Sequence, residues 1–291
     1  MQSIREDPSI VTVSPEHRQP RSREYLPLDT RIELCRIVSD MIRDGVTYRQ
    51  VQNSIFAKTN IRLSKGTISA WARGIHRPTG RVNWFCSNPS PELAYVIGVV
   101  LGDGNLNIHG YNAEILLSVT DYDFAKEFSR CLAKTLSKER SYRVRRSDKR
   151  NRWIVQGASV LLYRFLDRPW QDLKPWIQHC EKCTAVFLRA FYDGEGCISG
   201  RSLTISNTRR ELLNYIRYLL ERLGIEASPL YVRTRAGTII VDPRTHRAYF
   251  RKRDCFSFGI RRRSIPRFRQ FIGFTIQRKQ TRLRKACLET G

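Results

Sequence analysis

The sequence predicts an α+β fold of two similar halves, preceded by a small all-α domain. The main observation is a repeat: an apolar helical stretch ending in a small residue, an acid and a glycine occurs at residues 92–104 and again at 184–196. Each copy is followed by alternating, strand-like stretches and an amphipathic helical pattern. The matching acids, Asp103 and Glu195, are 92 residues apart. A repeat of this kind predicts two pseudo-symmetric halves.

The second observation is a change of pattern along the chain. The N-terminal stretch contains four prolines and no apolar period, and a turn-rich linker follows the first helical region. We therefore expect a flexible tail, a helical domain and two α/β halves, with these boundaries: 1–27, 28–80, 92–180 and 181–291.

Alternation and helical periodicity place the elements inside the two halves. In the first half we expect strands at 113–119, 141–146 and 153–157, with a helix at 123–136. In the second half we expect strands at 202–206, 229–235, 238–241, 248–251 and 255–260, with helices at 211–223, 265–272 and 277–288.

The chain is strongly basic, with 52 Lys and Arg against 27 Asp and Glu over 291 residues, a formal net charge of +25. Residues 201–291 hold 22 of these bases and 6 of the acids, and 41 of the 52 bases are Arg. The planar fork of arginine grips phosphates and guanine edges with two hydrogen bonds. A basic surface that served only solubility would favour Lys and spread evenly. We therefore expect a nucleic-acid partner.

Composition also excludes two classes of protein. No apolar run approaches the roughly 18 residues of a membrane span. The 30 aromatic residues are too many for a chain disordered throughout. Residues 1–28 are polar, so no signal peptide is visible. We expect a cytoplasmic, prokaryotic protein without membrane contact, and its Arg-rich composition is compatible with an archaeal source.

Eight cysteines are scattered over the whole length, which is typical of reduced thiols rather than of a disulfide framework. Only His179, Cys180 and Cys183 have the spacing of metal ligands. A structural zinc ion takes four ligands, and no second cysteine pair stands at a matching separation. The sequence therefore disfavours a zinc site.

The region 28–80 reads as three short helices. Gly45 ends the first, Thr47 caps the second, and Ser64 and Gly74 bound the third. In a chain this basic, such a unit is typical of a helix-turn-helix whose last helix enters the major groove of DNA. The alternative is a plain three-helix packing domain. The residues expected to face DNA are Lys65, Thr67, Ser69 and Arg73.

The repeated helices carry the chemistry. Small residues four apart, Gly98 and Gly102 in one copy and Ala190 and Gly194 in the other, let two helix backbones approach closely. If the helices pack on each other, the acids that follow them project side by side, against the negative ends of both helix dipoles. That arrangement is unfavourable without a cation and favourable with a hard divalent ion. A metal held there against a phosphodiester backbone would suit hydrolysis.

The stretches Val96–Gly104 and Leu188–Gly196 resemble the two signature helices of single-chain LAGLIDADG homing endonucleases. The resemblance covers residues 92–288, about two thirds of the chain. It implies an αββαββα fold in each half, with the two sheets forming a saddle over duplex DNA. It also implies cleavage of a long asymmetric site by an intron-encoded, monomeric enzyme that uses Mg²⁺ or Mn²⁺.

The resemblance further implies that Asp103 and Glu195 bind the metal, with Gly102 and Gly194 beside them. Asp193 is not a candidate, because Leu101 stands at its position in the first helix. Family members often have a polar residue after the first long strand of each half and a lysine near the metals. Asn207 fits the polar position, whereas its first-half equivalent is Val119, which leaves Ser118 or Thr120 in that role. The lysine candidates are Lys182 and Lys279.

Alternation along the strands predicts the surface that contacts DNA. One face of each predicted strand carries arginine and tyrosine side chains that would contact base edges in the major groove. A run of three arginines would contact phosphates. These residues are Arg143, Arg145, Tyr231, Arg233, Arg235, Arg247, Tyr249 and Arg251 for the strands, and Arg261, Arg262 and Arg263 for the phosphates.

Two alternative functions use the same scaffold. An RNA-splicing maturase would bind intron RNA, and a transcription regulator would bind DNA without cleaving it. Loss of one acid would mark a non-cleaving protein, and both acids are present here. We therefore favour a site-specific, double-strand DNA endonuclease.

Overall fold

The computed structural model describes residues 26–76, 78, 85–109, 112–242 and 246–288. The chain divides into two units, Met1–Arg81 and Val82–Gly291. Residues 1–25 of the predicted tail and residues 79–84 of the predicted linker lie outside the described parts. Within those parts, no helix has the length and apolar character needed to cross a membrane.

The first unit contains the three expected helices, α1 (Leu28–Arg43), α2 (Tyr48–Thr59) and α3 (Lys65–Ala72). Thr47 and Gln50 form a reciprocal capping box at the start of α2. The Ser64 hydroxyl accepts the backbone N–H of Thr67 at the start of α3. The helices enclose a small apolar core of Leu34, Val38, Val51, Ile55, Leu63, Ile68 and Trp71. That this unit binds DNA stays a prediction.

The first α/β half has the element order αββαββα that the resemblance implies. Its elements are α4 (Pro91–Leu101), β1 (Asn105–His109), β2 (Asn112–Val119), α5 (Tyr122–Thr135), β3 (Arg145–Ser147), β4 (Arg152–Ala158) and α6 (Val160–Leu166). A short helix, α7 (Lys174–Ile177), then leads into the second half.

The second half repeats this order with one insertion. Its elements are α8 (Glu181–Glu195), β5 (Gly196–Ser199), β6 (Ser202–Asn207), α9 (Arg210–Arg222), β7 (Tyr231–Thr234), β8 (Ile239–Val241), β9 (Ala248–Phe250), β10 (Cys255–Gly259), α10 (Ile265–Phe271) and α11 (Gln277–Leu288). The inserted hairpin, β8–β9, stands between β7 and β10, where the first half has only a 3₁₀ turn, Asp148–Arg150.

Each half forms one antiparallel four-stranded sheet, ordered β1-β2-β4-β3 in the first and β5-β6-β10-β7 in the second. If the inserted hairpin is set aside, the two orders are the same, as a duplication requires. One face of each central strand is buried: Ile115 and Leu117 of β2, and Leu203 and Ile205 of β6, are inaccessible or nearly so. The α+β fold class is therefore confirmed.

Several predicted elements differ from the observed ones. Strands β1 and β5 were not predicted; they closely follow the signature helices and are only five and four residues long. Helices α6 and α7 were not predicted either. The predicted strand at 141–146 was wrong in extent, since β3 covers only Arg145–Ser147.

The two signature helices, α4 and α8, pack directly on each other through their small residues. A Cβ atom added to Gly98 would lie 2.6 Å from the carbonyl oxygen of Phe187 and 2.9 Å from Cβ of Ala190. No side chain larger than hydrogen fits there without displacing a backbone. Gly98 therefore sets the separation of the two helices.

Candidate active site

The close packing of α4 and α8 brings the two predicted acids to one place. Glu195 is the last residue of α8, and Asp103 lies two residues beyond the end of α4. A Cβ added to Gly194 would lie 3.1 Å from Oδ2 of Asp103, and one added to Gly102 would lie 3.8 Å from Cγ of Glu195. Each acid therefore lies next to the glycine that precedes the other acid. Gly194 makes room for Asp103, whereas Glu195 is in ordinary van der Waals range of Gly102.

Burial and like charge disfavour ionisation of the two carboxylates. Burial, followed by the negative charge of Asp103, raises the pKa of Glu195 to about 7. Burial also raises the pKa of Asp103, although the charges of Lys279 and Arg152 oppose that shift. The pair carries an unfavourable concentration of negative charge that a cation would relieve.

Asn207 holds Glu195 in position. Its side-chain amide donates a 2.8 Å hydrogen bond to Oε1 of Glu195, and its own oxygen accepts the backbone N–H of Arg209 at 2.9 Å. The first half has no such contact at the equivalent place. Cys197 pairs with Thr204, and Asn105 pairs with Leu116, so the residue matching Asn207 is the buried Val119. The two acids therefore have different surroundings.

Two arginines that were not predicted from the sequence lie beside the acids. The guanidinium of Arg209 donates to the carbonyl oxygen of Leu101 at the end of α4, and its charge opposes the upward shift of the Glu195 pKa. Arg152 donates to the carbonyl of Ser118 at 2.9 Å and does the same for Asp103. Their position in a basic chain gave no signal, because arginine is common throughout.

Lys279 lies beneath the acids rather than among them. It is 7 % exposed, and its ammonium group donates to the carbonyls of Asp193 at 2.6 Å, Gly196 at 2.7 Å and Tyr192 at 3.3 Å. The Tyr192 carbonyl also accepts the backbone N–H of Gly196. A cation at the C-terminus of α8 gives the last carbonyls an additional donor and opposes the negative end of the helix dipole. Lys279 therefore positions the end of the helix that carries Glu195.

The expectation that Lys182 lies near the metals was wrong. Lys182 is exposed in the first turn of α8, whereas Glu195 is its last residue. At 1.5 Å per residue, the two positions are about 20 Å apart along the helix. Lys182 is close to the signature motif in sequence, but it lies at the opposite end of α8 from Glu195.

Asp193, two residues before Glu195, has a structural role. It is 2 % exposed, and its carboxylate accepts the backbone N–H groups of Thr275 at 3.0 Å and Ile276 at 3.2 Å. These bonds hold the segment that leads into α11. The bidentate pair of Arg278 with Asp121, at 2.6 and 2.7 Å, ties α11 to the first half.

In the second half, Tyr231 and Arg233 lie on the face of the sheet that points away from the core. Tyr231 is opposite Ser257, which is opposite Ser206 in turn, and Arg233 donates to the Ser206 hydroxyl at 2.9 Å. Arg235 follows the end of β7, so strand alternation does not place it on that face.

The hairpin β8–β9 carries the next three predicted contacts. The carbonyl of Arg247 accepts the N–H of Asp242, and the N–H of Arg251 donates to Thr238, so both arginines extend the ladder. With Tyr249 between them, they share one face of the hairpin. Arg247 and Tyr249 are exposed, and Arg251 is half-buried.

In the first half, Arg145 lies in β3 opposite Ile154 and donates to Oε1 of Gln156 at 2.6 Å. Arg143 is exposed but precedes the strand, which corrects its predicted register. Arg261, Arg262 and Arg263 are all exposed near a 3₁₀ turn, and Arg263 pairs with Glu226.

In the first unit, the third helix presents Lys65 and Arg73 to solvent, whereas Thr67 and Ser69 are half-buried. The Thr67 hydroxyl is within 2.9 Å of the Ser64 hydroxyl, and its backbone N–H is capped there too. The two charged residues are therefore the exposed members of the predicted set.

The carboxylate oxygens of Asp103 and Glu195 are suitable ligands for a hard divalent cation. Two carboxylates meet at the ends of two helices, where both helix dipoles are negative, and their pKa values are raised. Carboxylate oxygens are the ligands that Mg²⁺ takes in proteins, together with water and phosphate oxygens. The residues that would hold the ion are Asp103 and Glu195, with Gly102 and Gly194 beside them.

Replacing Lys279 by Met should destabilise the second unit. The variant removes the ammonium donor from the carbonyls of Asp193 and Gly196 and leaves the Tyr192 carbonyl with only the backbone N–H of Gly196, which should lower the free energy of unfolding by about 2–4 kcal/mol. Chemical denaturation followed by circular dichroism measures the change. The control is Lys285→Met, an exposed lysine on the same helix, which should be nearly neutral; equal effects of the two variants would contradict the capping role.

The raised pKa of Glu195 predicts how stability depends on pH. Between the unfolded value of 4.5 and about 7, the folded state binds more protons, so stability should fall as pH rises through this window. In EDTA at pH 8, Glu195→Gln should therefore be more stable than the wild type by about 1–3 kcal/mol, and the gain should shrink at pH 5.

Denaturation curves at both pH values measure this difference. The control is Glu226→Gln, because Arg263 lowers the pKa of Glu226 and its replacement should bring no gain at pH 8. A Glu195→Gln variant less stable than the wild type at pH 8 would overturn the electrostatic account.

Comparison with known proteins supports a common origin. Residues 182–252 match the family model of the LAGLIDADG-like domain. The uncharacterized protein MJ0398 of the archaeon Methanocaldococcus jannaschii is 31% identical over 258 residues, which cover 87% of this chain and 93% of the relative. The uncharacterized protein MJ0314 of the same organism is 34% identical over 184 residues, covering 60% of this chain and 67% of that protein.

Among solved structures, the homing endonuclease I-DmoI in complex with DNA and Ca is similar, with a TM-score of 0.47 and 17% identity. The match covers 69% of this chain and 98% of that chain. The duplicated signature helices, the repeated strand order and the extensive match to MJ0398 agree with the matched domain. The chain therefore belongs to the LAGLIDADG-like family.

Proposed function

We propose that the chain is a divalent-metal-dependent endonuclease that hydrolyses phosphodiester bonds of double-stranded DNA at a long, asymmetric site. The observation that carries this proposal is the juxtaposition of Asp103 and Glu195 over each other's glycines. Their mutual repulsion makes a cation the natural occupant of the site. Because one chain supplies both acids, the site needs no second copy, which supports a monomer.

Each neighbouring residue has a distinct task in this proposal. A bound Mg²⁺ or Mn²⁺ would polarise the phosphate and promote ionisation of a water molecule. Asp103 and Glu195 would hold the ion, and Asn207 keeps the Glu195 carboxylate in one orientation through its 2.8 Å hydrogen bond. Arg152 and Arg209 place positive charge next to the acids, where a phosphodiester backbone would lie.

Charge and exposure support the sheet faces as the DNA-binding surface. In the second half, Tyr231 and Arg233 are exposed on the face away from the core. In the first half, Arg145 holds the position of Tyr231: it is opposite Ile154 and thereby in line with Ser118, as Tyr231 is opposite Ser257 and in line with Ser206. Arginine side chains on such a face suit both phosphates and base edges, and the net charge of +25 would attract the polyanion over a distance.

The hairpin β8–β9 extends this surface in the second half. It carries exposed aromatic side chains beside its arginines: Tyr249 is 52 % and Phe250 68 % exposed. Aromatic and basic groups together suit contact with the sugars and bases of nucleic acid. The first half has only the turn Asp148–Arg150 at this place, so the two halves should read different half-sites, which supports an asymmetric target.

Asp103→Asn and Glu195→Gln should each abolish cleavage and leave binding of the target within a few-fold of the wild type. Each substitution removes one negative charge from the metal site and keeps the shape of the side chain. The target is identified first, by incubating the wild type with a library of genomic inserts in Mg²⁺ and sequencing the cut ends. Cleavage and gel-shift assays on that target then compare the variants.

Matched controls are Asp172→Asn and Glu139→Gln, which replace exposed acids outside the site and should cut normally. Cleavage by both site variants would contradict the metal assignment, as would full wild-type activity in EDTA. Tight, specific binding by the wild type without any cutting in Mg²⁺ or Mn²⁺ would instead indicate a regulator.

The first unit should contribute phosphate contacts through α3. Removing the two exposed charges in Lys65→Ala/Arg73→Ala should weaken binding and reduce the slope of log K against log salt by about 1.8, since each phosphate contact contributes about 0.9. The position of the cut should not change. Titrations at several salt concentrations measure the slope.

The control is Arg36→Ala/Arg43→Ala, which removes two exposed charges from α1. If both double variants keep the wild-type slope, α3 does not contact DNA and the first unit is a packing domain.

A further inference from the structure

A second group of metal-ligating side chains lies where the first half joins the second. His179, Cys180 and Cys183 place their ligand atoms within 4.8 Å of one another. Among the residues that the structure describes, no other three His, Cys, Asp or Glu side chains meet this condition. The proposed nuclease does not use this cluster, which we call the HCC cluster.

The local fold produces the HCC cluster. Cys180 is the N-cap of α8, and its sulfur accepts the backbone N–H of Cys183 at 3.4 Å. Cys183 is one helical turn further on, so the two thiols lie on the same side of the helix. The hydroxyl of Thr184 donates to the carbonyl of Ile177 at 2.9 Å and holds the preceding turn, which carries His179.

The N-terminus of a helix also prepares the cluster for a cation that binds thiolates. A helix N-terminus and a donor to sulfur both favour the ionised form of a cysteine. Cys183 is buried, whereas His179 and Cys180 are exposed. The cluster is thus anchored on one side by the protein interior and open to solvent on the other.

We propose that His179, Cys180 and Cys183 bind a Zn²⁺ ion, with water as the fourth ligand. Two thiolates and an imidazole suit zinc and do not suit Mg²⁺, which takes oxygen ligands. A water molecule would complete the four ligands in place of the second cysteine pair that the sequence lacks. Binding would release the thiol protons to solvent.

The position of the HCC cluster separates this ion from the acids. It lies at the first turn of α8, and the acid Glu195 ends the same helix, 15 residues long and about 22 Å from end to end. A zinc ion there would pin the turn between α7 and α8 to the start of the signature helix. It would not take part in the reaction at the acids.

Cobalt substitution tests the site directly. The full-length chain is reduced with a phosphine, stripped of metal with a chelator, freed of the chelator and titrated with Co²⁺. We expect a thiolate-to-cobalt charge-transfer band that saturates at one ion per chain and disappears when Zn²⁺ is added. Absence of the band in the folded wild type would overturn the proposal.

Variants assign the ligands. Cys180→Ser should lose the charge-transfer band, and because the side chain is exposed, the variant should fold. His179→Asn should weaken Co²⁺ binding. The matched control is Cys197→Ser, an exposed cysteine outside the cluster, which should titrate like the wild type. A band of wild-type strength in Cys180→Ser would overturn the assignment even if Cys183→Ser fails to fold.

Thermal melting supplies an independent measurement. Zn²⁺ should raise the melting temperature of the wild type and of Cys197→Ser, and leave Cys180→Ser unchanged, because only a folded site binds the ion. An equal shift in all three proteins would contradict binding at the HCC cluster. These measurements do not involve DNA cleavage, so their outcome is independent of the proposed nuclease activity.

Discussion

The contact between the backbones of α4 and α8 is the constraint on which the rest of the second unit depends. Gly98 allows it, since a Cβ at this position would lie 2.6 Å from a carbonyl oxygen of the facing helix. Once the helices are this close, the residues at their ends meet, and Asp103 and Glu195 share one small volume. The packing of the helices thus places two carboxylates together, and this gives the site its excess of negative charge.

The protein stabilises the ends of these helices mainly with groups from the second half. Lys279 satisfies carbonyls at the end of α8, Arg209 reaches the end of α4, and Asp193 anchors the segment before α11. Arg278 then links α11 to Asp121 in the first half. Helix α11 therefore contacts both the end of α8 and the first half. The two halves have the same strand order, but the residues that stabilise the ends of the signature helices come mainly from the second half.

Much of the fold was predictable, because the duplication and the helical periodicity can be recognised in the sequence. The signature helices, the acids and most strands follow from them. Strands β1 and β5 did not, because they are only five and four residues long and closely follow the signature helices. The candidate site was predicted in its acids and Asn207, but not in Arg152 or Arg209, and Lys182 was assigned to the wrong end of a helix.

The sequence by itself determined that two equivalent acids end two apolar helices in a chain of high positive charge. Only the tertiary structure decided which cations stand beside those acids and which lie beneath them. The physical reason is that periodicity records the face a residue occupies on its own element, while the partner of a long, flexible basic side chain depends on how distant elements pack. The same reason applies at the start of α8, where spacing marked His179, Cys180 and Cys183 as possible ligands but only the folded turn brings their ligand atoms within 4.8 Å of one another.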